Sequence, residues 1–227
     1  LSYAILLIGL VYPTVVHSAW NVEGWAAAWR EEDLLFDCGL TDFAGSGVVH
    51  MTGGIAALVA AIFVGPRKGA FDGDGIKGQS AITRNLGVFI LWFGWYGFNG
   101  VSTLYIAGYG LVAAKTMVTT TIAAGAGCLT CVLLGKAFKG GIIDMDLAGN
   151  GVLAGLVSIT ANCSVVEPYG AFIIGVIGGI VYMLSSSLLK FLKIDDVVDA
   201  APVHGFCGAW GCIASGLFAT DWNYANA

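Results

Sequence analysis

The chain has 227 residues, of which 57% are hydrophobic and only 11% are charged, and its formal net charge is −5. Its mean hydropathy is +0.82, whereas about a quarter of the residues in soluble globular domains are charged. The composition therefore excludes an ordinary soluble domain and predicts a polytopic membrane protein. A lipid bilayer is the expected environment, and no nucleic-acid partner is expected.

Seven apolar stretches have roughly the 20 residues that a helix needs to cross the hydrocarbon core. They lack the alternating pattern of a transmembrane barrel, and a lipid-exposed backbone must satisfy its own hydrogen bonds. The sequence therefore predicts an all-α transmembrane bundle, and its 34 glycines predict close helix packing. The predicted spans lie near 1–20, 42–65, 81–101, 109–135, 147–165, 168–192 and 200–220.

The first span ends at Trp20, where tryptophan is typical of the membrane interface. The loop that follows is acidic. Most Lys and Arg residues lie in the alternate loops and span ends, which the positive-inside rule assigns to the cytoplasm. The first span is therefore predicted to run outward. The eight inner cations are Arg67, Lys68, Lys77, Arg84, Lys136, Lys139, Lys190 and Lys193.

The second span contains His50 inside the apolar run DFAGSGVVHMTGG. An ionisable side chain at membrane depth is costly and usually marks a permeation or proton path, although a lone histidine can be a satisfied core residue. Asp42 opens this span, where a carboxylate can cap the helix and complement its dipole. A proton-accepting or electrostatic role near the outer face is the alternative for Asp42.

The third span carries an aromatic cluster, FGWYGFN at 93–99, for which packing is the default explanation. Phe98 and Ser102 are four residues apart and share a helix face. In the fourth span, Cys128 and Cys131 lack the further ligands that a metal site needs, so neither a metal nor a cofactor is expected. Cys38 and Cys163 are both predicted near the outer face, where they could form a disulfide.

The seventh span repeats features of the second. His204 follows Asp196 by eight residues, as His50 follows Asp42, and a glycine stands four residues after each histidine. The two spans lie an odd number of crossings apart and so enter from opposite sides. This arrangement predicts inverted repeats with a functional site between them near the midplane, and two histidines in repeated settings predict a pore.

Three stretches resemble the ammonium transporter family (Amt/Mep/Rh), in the family's order and spacing: DFAGSGVVH at 42–50, FGWYGFN at 93–99 and VHGFCGAWG at 203–211. The stretches SGVVHM and VVEP are closer to plant and algal members. The resemblance implies one ammonium transporter domain over 1–227. It would cover the fourth to tenth helices of an eleven-helix fold with inverted five-helix repeats, as a fragment that lacks the first three helices and the last. It also implies a homotrimer with one pore per subunit, in the plasma membrane.

Carried over residue by residue, the resemblance makes His50 and His204 the twin histidines of the pore. Trp20 and Ser102 would recruit ammonium at the outer face, and Phe98 would form part of a gate below them. Ammonium would lose its proton, and ammonia, with or without the proton, would pass the histidines. The fragment is not expected to transport by itself.

Three rival functions are weighed against transport. A seven-helix receptor or retinal protein is disfavoured because the last span has no lysine for a Schiff base. An intramembrane metal-dependent hydrolase is disfavoured because the chain has only three histidines and no HExxH motif. A non-transporting ammonium sensor would share the same pore and remains an alternative. The protein is therefore not expected to be an enzyme.

Overall fold

The computed structural model describes residues 1–73, 75–76, 78–138, 141 and 143–226. Two of the predicted inner cations, Lys77 and Lys139, lie outside these residues. Within them, seven long helices follow the predicted spans, and a short helix α8, Asp221–Asn226, comes after the last. The seven are α1 Ser2–Trp20, α2 Ser46–Val64, α3 Ala81–Gly100, α4 Gly110–Phe138, α5 Met145–Ile159, α6 Pro168–Phe191 and α7 201–218.

Among the described residues, α1, α2, α4 and α6 are long and apolar enough to cross a membrane by length and composition. Helix α5 is apolar but has only 15 residues. It ends at Ile159, whereas the predicted span ran to 165. Several of its side chains have no exposed surface at all, Leu156 and Val157 among them. A helix enclosed by other helices does not meet lipid along its length, and this explains why it is shorter than a lipid-facing span.

Small residues bring α4, α5 and α6 together, as the glycine content predicted. A Cβ atom at Gly127 would lie 3.1 Å from the Cα of Gly155, and one at Gly175 would lie 2.8 Å from the Cα of Ala123. Such positions let helix backbones touch and replace side-chain interdigitation with direct backbone packing. The contact joins the three helices into the centre of the bundle.

The connection between α5 and α6 is irregular yet buried. Thr160 and Asn162 have no exposed surface, and the Asn162 amide donates to the carbonyl of Gly211 on α7 at 2.9 Å. The carbonyl of Ala161 accepts from the backbone N–H of Phe43 at 2.9 Å. Non-helical backbone is tolerated at membrane depth only where protein surrounds it. This segment therefore supports both the start of α2 and the middle of α7.

At the inner end, Arg67 forms a salt bridge with Asp195 at 2.7 Å. The backbone N–H of Arg67 donates to the same carboxylate at 2.9 Å. The Arg67 guanidinium lowers the pKa of Asp195 to about 2. Because Arg67 follows α2 and Asp195 follows α6, the bridge joins two loops that the sequence predicted on the same side of the membrane.

Helices α2 and α7 cross each other through glycine. Each begins with a π-helical turn, Ser46–Met51 in α2 and Ala201–Phe206 in α7. A Cβ atom at Gly54 would lie 2.5 Å from the Cα of Gly205, and one at Gly208 would lie 2.9 Å from the backbone nitrogen of Met51. The glycine four residues after each histidine thus packs directly against the backbone at the start of the opposite helix. This reciprocal contact is the geometry expected of two inverted repeats.

Candidate functional site

The π-helical turns of α2 and α7 bring His50 and His204 into contact. Their Nδ1 atoms are 3.2 Å apart, and their ring centroids are 5.2 Å apart with planes inclined by 24°. A neutral imidazole has one N–H donor and one bare acceptor nitrogen. One ring must therefore donate from Nδ1 and the other must accept there, so the tautomers of the pair are complementary.

Aromatic rings surround His50, which is 9% exposed. The indole of Trp95 stacks on the imidazole with centroids 5.0 Å apart and planes inclined by 16°. The Phe98 ring lies 5.4 Å from the same imidazole. Within the described chain, Nε2 of His50 has no hydrogen-bond partner. These surroundings favour a neutral imidazole, since burial without a counter-charge penalises the charged form.

The carboxylate of Asp42 is fully buried at the start of α2. Its Oδ1 atom accepts from the backbone N–H groups of Gly45 at 3.0 Å and Ser46 at 2.8 Å. Its Oδ2 atom accepts from those of Gly47 at 2.9 Å and Val48 at 2.8 Å. Four otherwise unpaired N–H groups at the helix start are thereby satisfied by one side chain, which is the geometry of a helix cap.

The two predicted recruitment residues are held separately. Trp20 ends α1, and its indole N–H donates to the backbone carbonyl of Asp42 at 2.6 Å. Ser102 follows α3, and its hydroxyl donates to the carbonyl of Phe98 at 2.6 Å. Among the described residues, no hydrogen bond joins Trp20 to Ser102. Ser102, Phe98 and His50 do form a continuous series of contacts from the end of α3 to the histidine pair.

Trp95 is the residue that sequence reasoning did not assign to the site. It is 6% exposed, and its indole N–H donates to the Thr160 hydroxyl at 3.0 Å. The available signal was its position three residues before Phe98, which places both rings on one helix face. Packing was the default explanation for the whole aromatic cluster, so this ring was not distinguished from its neighbours.

The aspartates before α7 differ from Asp42. Among the described residues, the Asp196 carboxylate accepts from one backbone N–H, that of Ala201 at 2.7 Å, while the Asp199 carboxylate accepts from side chains of α5 and α6. The disulfide suggested for Cys38 and Cys163 is not formed, since both are free thiols. Among the described residues, no group of three His, Cys, Asp or Glu side chains is placed to hold a metal ion.

Comparison with known proteins gives consistent matches over the whole chain. The family model described as Ammonium Transporter Family matches residues 1–227. Ammonium transporter 1 member 1 of Arabidopsis thaliana is 46% identical over 240 residues, which cover 100% of this chain and 48% of that protein.

Two solved structures also superpose well. The crystal structure of Saccharomyces cerevisiae Mep2 has a TM-score of 0.85 at 32% identity, covering 100% of this chain and 48% of that one. A structure titled Sensor Amt Protein has a TM-score of 0.82 at 33% identity, covering 96% and 53%. The chain spans about half the length of the relatives it matches. With a paired-histidine crossing, a polytopic helical membrane fold and a family match from its first residue to its last, the chain belongs to the ammonium transporter family.

Proposed function

We propose that the natural protein containing this sequence carries ammonium across a membrane through a pore lined by His50 and His204. The observation that carries this proposal is the 3.2 Å contact between their Nδ1 atoms at the crossing of two inverted helices. The named relatives are ammonium transporters, and His50 of the pair lies against the aromatic rings of Trp95 and Phe98.

The physical case rests on selectivity. Ammonium and potassium ions have similar sizes, so a cage of fixed radius separates them poorly. An apolar passage imposes a large desolvation cost on either ion. Ammonium alone can shed a proton and enter as neutral ammonia. A buried pair of neutral imidazoles offers that molecule a donor and an acceptor while giving a metal cation no counter-charge.

Recruitment at the outer face is proposed for Trp20 and Ser102. Both stand at helix ends that the charge distribution places outside. The Trp20 indole donates its N–H to the backbone carbonyl of Asp42, which leaves the ring face for a cation. Such a cation–π interaction contributes about 0.5–2 kcal/mol, depending on desolvation. Ser102 adds a hydroxyl oxygen, which can accept from ammonium while its own proton is donated to Phe98.

Phe98 is proposed as part of the gate between recruitment and conduction. Its ring contacts His50, and its backbone carbonyl accepts from the Ser102 hydroxyl. Phe98 therefore lies between the proposed recruitment residue Ser102 and the histidine pair. An aromatic ring there would exclude hydrated cations and favour loss of the proton before the pore.

For Asp42, the capping geometry supports the structural role over proton acceptance. A homotrimer in the plasma membrane is proposed for the natural protein.

The decisive experiment measures ammonium-evoked current and labelled methylammonium uptake in the natural protein with His50→Ala and His204→Ala. Each substitution is expected to remove the selection for a molecule that can shed its proton. Uptake of labelled methylammonium should then fall toward background, or potassium should also pass. His17→Ala is the matched control, because His17 is an exposed histidine outside the pair, and it should behave as wild type. Wild-type rate and selectivity in both pore variants would contradict the proposal. Ammonium binding without flux in the wild-type protein would instead favour a sensor.

A further inference from the structure

A polar cluster on the inner side of the bundle has no role in the proposed transport steps. The cluster consists of Asn150 on α5, Tyr182 and Ser186 on α6, and Asp199 just before α7. Asn150, Tyr182 and Asp199 line a cavity of about 490 Å³ between α3, α5, α6 and the segment that precedes α7. We call the four residues of the cluster the Asp199 hub.

The hub converges on one carboxylate oxygen. Oδ2 of Asp199 accepts from the Tyr182 hydroxyl at 2.8 Å and from the Ser186 hydroxyl at 3.1 Å. The Asn150 amide donates to the Tyr182 hydroxyl at 2.8 Å and approaches Asp199 Oδ2 at 3.5 Å. Hydrogen bonds to an ionised acceptor are shorter and stronger than those between neutral groups. Asp199 is therefore tied to two different helices of the bundle.

The backbone of Asp199 connects the hub to His204. Its carbonyl accepts from the N–H of Val203 at 2.9 Å, and Val203 is 1% exposed and directly precedes His204. Asp199 has a φ of 53°, a left-handed conformation that non-glycine residues adopt only when the surroundings enforce it. The side-chain bonds to α5 and α6 provide that enforcement.

The start of α7 needs such an anchor because its own cap is weak. In α2, Asp42 satisfies four backbone N–H groups of the helix. In α7, within the described chain, Asp196 satisfies only that of Ala201, and Pro202 has no N–H to offer. The first turn of α7 is consequently located by contacts to other helices rather than by a cap.

We propose that Asp199, held by Tyr182 and Asn150, is a positioning residue that places His204 within hydrogen-bonding distance of His50. The expected effect on transport rests on the proposed function. The expected effect on the contact between His50 and His204 does not. Neither Asp199 nor Tyr182 needs to touch the permeating molecule.

The test uses Tyr182→Phe, which removes one hydroxyl and keeps the ring, and Asp199→Ala, which removes the carboxylate. Ser187→Ala is the matched control, because in the part of the chain that the structure describes the exposed Ser187 hydroxyl bonds within its own helix, to the carbonyl of Met183. In both hub variants the maximal uptake rate per folded protein should fall roughly tenfold. Misplacement of a functional group by about 1 Å can lower a rate up to about 100-fold where alignment matters. The half-saturating ammonium concentration should stay within about twofold, because outer recruitment is untouched.

A second measurement does not depend on transport. Solid-state NMR of the natural protein with ¹⁵N-labelled histidine should detect the coupling between Nδ1 of His50 and Nδ1 of His204 in wild type and Ser187→Ala. The coupling should be lost or weakened in Tyr182→Phe and Asp199→Ala. Coupling retained in both hub variants would overturn the inference even if wild type transports. If the coupling is lost in the hub variants and the wild-type protein carries no ammonium, the inference is upheld and the proposed function is refuted. If Asp199→Ala does not fold, Tyr182→Phe decides.

Discussion

Asp42 distributes its two carboxylate oxygens evenly over four backbone N–H groups. Two oxygens with about four lone-pair sites match four donors, so the site has no spare capacity. The backbone carbonyl of the same residue accepts from the Trp20 indole at 2.6 Å. One residue thus fixes both the start of the helix that carries His50 and the ring at the end of α1.

Replacement of Asp42 by Asn tests this account. An amide keeps one acceptor oxygen but turns an NH₂ group toward two backbone donors, which lose their partner. Each buried donor left unsatisfied costs about 1–3 kcal/mol, and roughly 2–4 °C of melting temperature accompanies each kcal/mol in a domain of this size. Asp42→Asn should therefore lower the melting temperature in detergent by several degrees. Asp37→Asn, at an exposed outer-loop carboxylate, is the control and should leave it unchanged.

The histidine pair could be predicted from sequence, while its detailed geometry could not. His50 and His204 were singled out because each lies eight residues after an aspartate in an apolar run, and the structure brings them together. The equal spacing nevertheless conceals different chemistry, since Asp42 caps its helix at four points and Asp196 at one. Pro202, which has no N–H to cap, is visible in the sequence, whereas the hydrogen bonds of the Asp199 hub are tertiary contacts that spacing does not encode. Trp95 is missed for another reason, because its spacing from Phe98 does not distinguish it from the other rings of the aromatic cluster.

At the scale of elements, the crossing of α2 and α7 depends on two glycines that lack any space for a side chain. A Cβ atom at Gly54 would lie 2.7 Å from the carbonyl carbon of His204. One at Gly208 would lie 3.2 Å from the Cα of Met51. The obstacles are backbone atoms, which cannot rotate away as a side chain can. The helices would have to separate, and the histidine contact would lengthen with them.

Gly54→Ala and Gly208→Ala are therefore expected to impair folding and abolish transport. The chain supplies matched controls on the same helices, because Cβ atoms at Gly53 and Gly216 would meet nothing within 4 Å. Gly53→Ala and Gly216→Ala should be neutral or slightly stabilising, since alanine favours helix by up to about 1 kcal/mol over glycine. Fluorescence-detected size-exclusion chromatography and melting temperature distinguish the two pairs. Equal behaviour of Gly53→Ala and Gly54→Ala would refute the crossing geometry.

Span positions were predictable at this scale, but helix ends and helix type were not. Apolar stretches identified the positions of all seven helices, and the bilayer thickness accounts for the length of those that face lipid. The predicted fifth span ran past Ile159, because residues 160–165 carry no charge and no Gly or Pro that would mark the end of a helix. The hydrogen bonds of this segment distinguish it from a helix, and they are not visible in the sequence. The π-helical turns at Ser46–Met51 and Ala201–Phe206 likewise have no sequence period of their own.

For the whole molecule, the Arg67–Asp195 bridge connects the loop after α2 to the loop after α6 at the inner end. The guanidinium lowers the pKa of Asp195 from 3.8 to about 2. A lowered carboxyl pKa contributes stability above its ordinary value, and that contribution disappears as pH falls from about 4 to 2. Wild type should thus melt at a higher temperature than Asp195→Asn at pH 7, with a difference that shrinks below pH 4 and in high salt. Asp72→Asn, in the loop that carries Arg67, serves as control. A melting-temperature difference between wild type and Asp195→Asn that is independent of pH would contradict the assignment.

The orientation of the molecule supplies the remaining prediction. Cys38 is an exposed free thiol in the acidic outer loop, and Lys68 is an exposed cation in the loop that carries the Arg67 bridge. Positive charge is retained on the cytoplasmic side during insertion, so these two positions must face opposite compartments.

A membrane-impermeant maleimide applied to intact cells should modify Cys38. It should modify a Lys68→Cys variant at position 68 only after permeabilisation. Cys163 is fully buried and should stay unmodified in both conditions, which controls for unfolding. Peptide mass spectrometry reads all three positions in one sample. Labelling at position 68 from outside would invert the topology and place Trp20 and Ser102 at the cytoplasmic mouth, where they could not recruit external ammonium.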